Sequence, residues 1–142
     1  MTLERCLAEL TNEDEPFKSS GLLLLSGLSY GELEEFAATW FDLSKTRKCS
    51  VLTQLGELCE DNLELDFSAV FRACLTDRDD SVREQATRGL WEGDDRVIIR
   101  PLFQLLSEDP SPGVRAAAAT SLGRFAAMAQ DGKLLDRDAE RV

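Results

Sequence analysis

Histidine is absent from all 142 residues. That single gap excludes Ser-His-Asp and Cys-His catalysis, His-based zinc or iron sites and His-ligated haem. Cysteine is present four times, at 6, 49, 59 and 74, without a CxxC pair. The spacing fits neither a zinc site nor a small disulfide scaffold, so reduced cysteine serving as a small core residue is expected. Long hydrophobic runs are missing too. The longest leucine run, Leu22 to Leu25, is far too short to span a bilayer, and MTLERCLAEL lacks the apolar core of a signal peptide. A cytoplasmic protein is expected.

Positive charge is scarce. Lys plus Arg number 16 against 27 Asp plus Glu, a net charge of −11. An acidic balance argues against nucleic-acid binding, which draws on Lys and Arg neutralising phosphates, and against anionic membrane surfaces. The deficit is uneven. Residues 1–30 carry two basic and five acidic side chains, 31–61 three and seven, and 62–93 four and seven. Residues 94–128 balance at four of each. The densest acidic run, Glu57, Glu60, Asp61, Glu64 and Asp66, reads as a solvated helix end with its loop.

What the chain does have is internal repetition. VFRACLTDRDDSVREQATRGL (70–90) and LFQLLSEDPSPGVRAAAATSL (102–122) superpose when slid by 32 residues, pairing Phe71/Phe103, Asp77/Asp109, Val82/Val114, Arg83/Arg115, Ala86/Ala118 and Leu90/Leu122. A weaker copy lies 35 residues upstream, pairing Phe36/Phe71, Asp42/Asp77, Lys48/Arg83, Val51/Ala86 and Leu55/Leu90. Three copies with a period in the thirties imply stacked supersecondary units.

Each unit reads as two helices. Phe67, Val70, Phe71, Cys74 and Leu75 follow amphipathic helical spacing, as do Val51, Leu52, Leu55, Leu58 and Cys59. Polar turns such as 77–81 and 108–113 separate the paired helices. Ser29 with Glu32 predicts a capping box before a helix over 30–42. Ser44 or Thr46 would cap the next, and Asp66, Asp80 or Ser81, Asp94 and Ser111 mark later starts. Pro101 is expected within the first two turns of its helix. LLLL (22–25) and VII (97–99) are the only candidate short strands, and both are flanked by helical signals.

The expected fold is therefore all-α. Residues 1–30 form an N-terminal cap, followed by helix pairs at 31–61, 62–93 and 94–128. Residues 129–142 form a tail or the start of a further repeat, as in a fragment of a longer solenoid.

DSVREQATRGL and PGVRAAAATSLGRF resemble the second-helix signature of HEAT repeats, most closely the phycobilisome lyase HEAT-like subtype with the form D-x-x-VR-x-x-A-x-x-x-LG. LCEDNLELDFSAVFRACL and GLWEGD are similar to bacterial HEAT-repeat proteins. Repeat one departs from the signature, with Arg47-Lys48 in place of Val-Arg. The resemblance implies a right-handed α-α superhelix whose second helices line the concave face, with no cofactor.

Function is less legible, because the motif specifies a fold. Arg83 and Arg115 with Asp77 and Asp109 are read as a structural ladder tying repeat to repeat, since they recur with the period. A calcium loop at Asp77, Asp79 and Ser81 fails, with Val82 at the glycine position and Arg88 at the closing glutamate. Asp79-Asp80 and Asp94-Asp95 read as acidic helix starts rather than catalytic pairs. Lys45, Arg47 and Lys48 are the one basic cluster, read as a charged helix start in preference to a phosphate site.

Glu84, Arg88 and Trp91 fall at i, i+4, i+7 on the second helix, opposite the buried signature positions, with Thr120 the repeat-three counterpart of Arg88. This stripe is the candidate partner-binding surface, although Trp91 is also read as cover for the following repeat. The expected function is a non-catalytic scaffold or adaptor that binds another protein, with neither nucleic acid nor membrane as partner. Two alternatives are a bilin lyase-type attachment or detachment factor, implied by the resemblance, and a HEAT-like DNA repair protein, which the charge disfavours.

Overall fold

The computed structural model describes residues 2–90 and 98–130, with side chains through 127. Within them the chain forms eight α-helices and no strand: α1 Leu3–Thr11, α2 Ser19–Leu22, α3 Tyr30–Trp40, α4 Lys45–Asp61, α5 Ser68–Ala73, α6 Asp80–Gly89, α7 Ile99–Glu108 and α8 Pro112–Gln130. Short 3₁₀ turns at Leu23–Leu25 and Cys74–Thr76 extend α2 and α5. The fold is all-α, as the periodicity implies. Helices α4, α6 and α8 pack side by side in that order, while α5 packs on α6 and α7 on α8.

The helix starts follow local chemistry. The Ser29 hydroxyl accepts from Glu32 N, and the Glu32 carboxylate accepts from Ser29 N, completing the expected capping box. Ser44, rather than Thr46, caps α4 by accepting from Arg47 N. At α6 the sequence reading is corrected, because neither Asp80 nor Ser81 is the cap. The helix begins after Asp79, whose side chain makes no capping bond. Asp77 instead folds the turn by accepting from Asp79 N at 3.0 Å, and Asp109 does the same with Ser111 N at 2.9 Å. Asp94 lies outside the described residues.

LLLL at 22–25 is helical, not a strand. Leu22 and Leu25 are buried while Leu23 is exposed, a three-residue spacing that a period-two strand cannot produce. Of VII, Val97 lies outside the described residues, and Ile98 and Ile99 are buried at the start of α7. Pro101 is the third residue of α7, where its missing N–H costs no helical bond.

The core runs continuously through the stack. Phe36, Trp40, Val51, Leu55, Val70, Phe71, Val82, Ala86, Leu90, Leu102, Leu122 and Phe125 belong to one cluster, and the signature positions Val114 and Ala118 are fully buried as well. Phe36 and Trp40 stack with centroids 5.0 Å apart. Such a pair contributes about 0.5–1.5 kcal/mol beyond its burial. Phe41, which follows Trp40 at the end of α3, is 40% exposed. Gly27, the one residue with positive φ (61°) among those described, lets residues 26–27 fold back so that its N–H reaches Asp66 O at 2.8 Å. Ser26 Oγ accepts from Asp66 N beside it, tying the N-terminal segment to the α4–α5 loop.

Candidate functional site

The starts of α4 and α6 each place a cation against the turn of the following unit. Lys48 Nζ lies 2.8 Å from Asp77 Oδ2, with both side chains almost completely buried. Arg83 spans the next joint, with Nε 2.8 Å from Asp109 Oδ2 and Nη2 3.1 Å from Oδ1, while its Nη1 donates to Asp77 O at 2.8 Å. Arg115 Nη1 donates to Asp109 O at 2.7 Å. The structure thus brings Arg83 and Asp109 together across the joint. It gives the Asp77 carboxylate to Lys48, leaving Arg83 only the backbone carbonyl of Asp77.

The basic cluster stands at the start of α4, as read, but Arg47 and Lys48 are buried and bonded inward rather than turned outward to a phosphate. Lys48 as the partner of Asp77 was missed, although the 35-residue offset aligns it with Arg83.

Burial alone would raise the Asp109 pKa, but the Arg83 side chain and the Ser111 N–H outweigh it and hold the carboxyl below the ordinary aspartate value. The folded state then binds this proton less readily than the unfolded chain. The stabilisation is present above the unfolded aspartate pKa, about 3.9, and is lost as pH falls through the lower folded value. Urea titrations between pH 5 and pH 2.5 are expected to show a steeper loss of stability for the wild type than for Asp109→Asn. Parallel curves would show that Asp109 contributes nothing to the pH dependence.

On the face formed by α4, α6 and α8, Arg88 stands between two adjoining clefts. One, about 210 Å³, lies between α4 and α6 and is lined by Thr53, Gly56, Glu60, Gln85, Arg88 and Gly89, among others. The other, about 160 Å³, lies between α6 and α8 and is lined by Arg88, Ala117, Thr120, Ser121 and Arg124. Arg88 is 55% exposed at its side chain and pairs with Glu84 at 3.0 Å. Glu84, Arg88 and Thr120 therefore occupy one continuous face, while Trp91 lies outside the described residues.

Two contacts hold this face in place. Gln85 Nε2 donates to Thr53 Oγ1 at 2.6 Å, and the buried Ser121 hydroxyl donates to Thr87 O at 3.2 Å. Gly89 lets the Phe71 ring pack directly against α6, since a Cβ there would collide with it. The sequence stripe missed Gln85 and Arg124. Arg124 is one helical turn beyond Thr120 and could have been found by extending the stripe.

No group of three potential metal-ligating side chains occurs among the described residues. The cysteines are free thiols. Burial pushes Cys6 up to about 11 and Cys74 up to about 12, so both are thiols rather than nucleophilic thiolates near neutral pH.

These features define a class, an α-helical repeat protein whose units share one core and are pinned by ion pairs at their joints. The family model for HEAT repeats matches residues 68–137, which supports a HEAT-repeat protein. HEAT repeats generally act as protein-interaction scaffolds and are generally non-catalytic. No curated protein and no solved structure matches the chain. No helix among the described residues is long and apolar enough to cross a membrane.

Proposed function

We propose that the protein is a non-catalytic adaptor that binds a partner polypeptide on the concave face lined by α4, α6 and α8. The observation that carries this reading is the position of Arg88, an exposed arginine between two shallow clefts on one continuous helical face. Arginine anchors are frequent hot spots because their planar, multi-donor head combines with an apolar stem. Clefts of 210 and 160 Å³ fall below the usual size of small-molecule pockets, about 300–1,000 Å³, and suit individual side chains of a peptide. The acidic first two-thirds of the chain would steer basic segments of that partner.

Two chemically opposite variants test the reading. Arg88→Ala removes the anchor. Gly56→Leu fills the α4–α6 cleft from a position whose Cβ has open space around it. Affinity capture from an extract is expected to recover a partner with the wild type and to lose it with both variants. An exposed control far from the face, Arg5→Ala, should retain it. Undiminished capture by Arg88→Ala and Gly56→Leu would remove the partner from this face.

A further inference from the structure

The C-terminal ends of α1 and α3 lie together, since the Glu13 carboxylate just past α1 accepts from Ser44 N just past α3 at 3.2 Å. The two helices pack on each other and so run in the same direction. A groove of about 330 Å³ lies between them, larger than either cleft of the concave face and sharing no residue with them. From α1 it takes Glu4, Leu7, Ala8 and Thr11. From α3 and the turn beyond it come Glu35, Ala38, Thr39 and Asp42. Both sets have the i, i+3, i+4, i+7 spacing of one helical face. Their shared direction sets Glu4 and Glu35 at one end and Thr11 and Asp42 at the other, two helical turns or about 10 Å away.

The lining accepts hydrogen bonds and offers almost none. The Thr11 hydroxyl donates to Leu7 O at 2.7 Å, which leaves only its lone pairs. No lysine or arginine lines the groove among the described residues, and none of its three carboxylates is in an ion pair there. Of the three cations in 31–61, Arg47 and Lys48 are turned into the protein. Between the charged ends the floor is apolar and the walls are low. Leu7 is buried, while Ala8 and Ala38 are exposed methyl groups.

We propose that this groove seats a basic amphipathic α-helix of a partner polypeptide. Its lysine or arginine residues at i and i+7 lie over the two ends, and larger apolar side chains at i+3 and i+4 fill the space above the alanines. Charge complementarity selects the occupant, because acceptors at both ends call for cationic donors. The spacing selects its form. A third helix laid along two parallel ones repeats their rise, so cations two turns apart meet both ends at once. The groove lies at one end of the stack, and α8, after which the described chain stops, lies at the other. It stands whether or not the concave face binds.

The test is NMR of the full chain, following backbone amides. The probe is a fourteen-residue acetylated and amidated peptide on an alanine–glutamine background, with lysine at its fourth and eleventh positions and leucine at its seventh and eighth. One comparison peptide moves the second lysine to the ninth position, onto another face, and a second replaces both lysines by glutamine. Amides over 4–11 and 35–42 are expected to shift saturably with the probe and at least tenfold more weakly with either comparison. Glu35→Gln removes charge and Ala38→Leu fills the groove, and each is expected to weaken binding at least tenfold. Glu64→Gln, which alters an exposed carboxylate elsewhere, should leave it unchanged. Absence of these shifts overturns the proposal. Equal binding of the displaced-lysine peptide overturns it as general charge attraction, as do shifts confined to 57–66 or to the concave face, and undiminished binding by both groove variants.

Discussion

Asp77→Asn is expected to cost about 3–5 kcal/mol in urea denaturation followed by circular dichroism, the range for breaking a buried ion pair by removing one partner. Asparagine can still accept from Asp79 N, so the turn keeps its bond while the Lys48 ammonium, 1% exposed, loses its counter-charge. What remains near that ammonium is a 3.5 Å contact to Phe41 O and the Phe41 ring, with Nζ 5.6 Å from its centroid. Neither compensates a buried cation. Lys48→Met in the same chain should recover much of the loss, because it removes the uncompensated charge and keeps the apolar stem. A cost below about 1 kcal/mol for Asp77→Asn would place the pair with solvent-exposed bridges and refute its role at the joint.

Arg47→Ala is expected to release the N-terminal segment, with a loss of about 2–4 kcal/mol. The guanidinium donates from Nε to Leu10 O at 3.0 Å and from Nη2 to Asn12 O at 2.7 Å and Glu15 O at 2.8 Å. It also lies over the Phe17 ring, 5.0 Å from the centroid. One head therefore satisfies the orphan carbonyl at the end of α1 and those of the loop beyond it. Each bond to a charged donor contributes about 1.5–3 kcal/mol, and bonds sharing one head do not add fully.

A nine-residue helix has no independent stability in water, so α1 should unravel once the clasp is gone. Hydrogen exchange is expected to accelerate over residues 3–17 while the amides of α6 and α8 keep their protection. Arg47→Lys should not restore protection, since a single ammonium cannot span those carbonyls. Uniform acceleration across the chain would show that the cap and the repeats unfold as one unit and would refute the local clasp.

The difference between these residues and their sequence reading shows where legibility ends. Val82, Ala86 and Leu90, and Val114, Ala118 and Leu122, were readable as core because helical period and repeat register both point to them. The Ser29–Glu32 box was readable because both partners lie within four residues. Arg47 was not, because its acceptors are backbone carbonyls 32 to 38 residues away, and carbonyls carry no sequence signal. Lys48 was half legible. Register aligned it with Arg83, but its neighbours Lys45 and Arg47 made the triplet look like a surface patch. The stripe of Glu84, Arg88 and Thr120 could be placed on one face from spacing, yet the clefts beside it depend on how far adjacent helices stand apart. The close fit of the Phe71 ring against Gly89 beside the α4–α6 cleft is likewise a matter of three-dimensional packing.

Lys48 and Arg83 reach carboxylates only 29 and 26 residues further along the chain. Each joint therefore closes within a single neighbouring unit, and nothing described clamps one end of the stack to the other. Under axial tension such an arrangement yields in sequence, one joint opening while the others remain shut. The spacing between units is then an elastic coordinate, and a ligand bridging the clefts on either side of α6 would act as a splint across it.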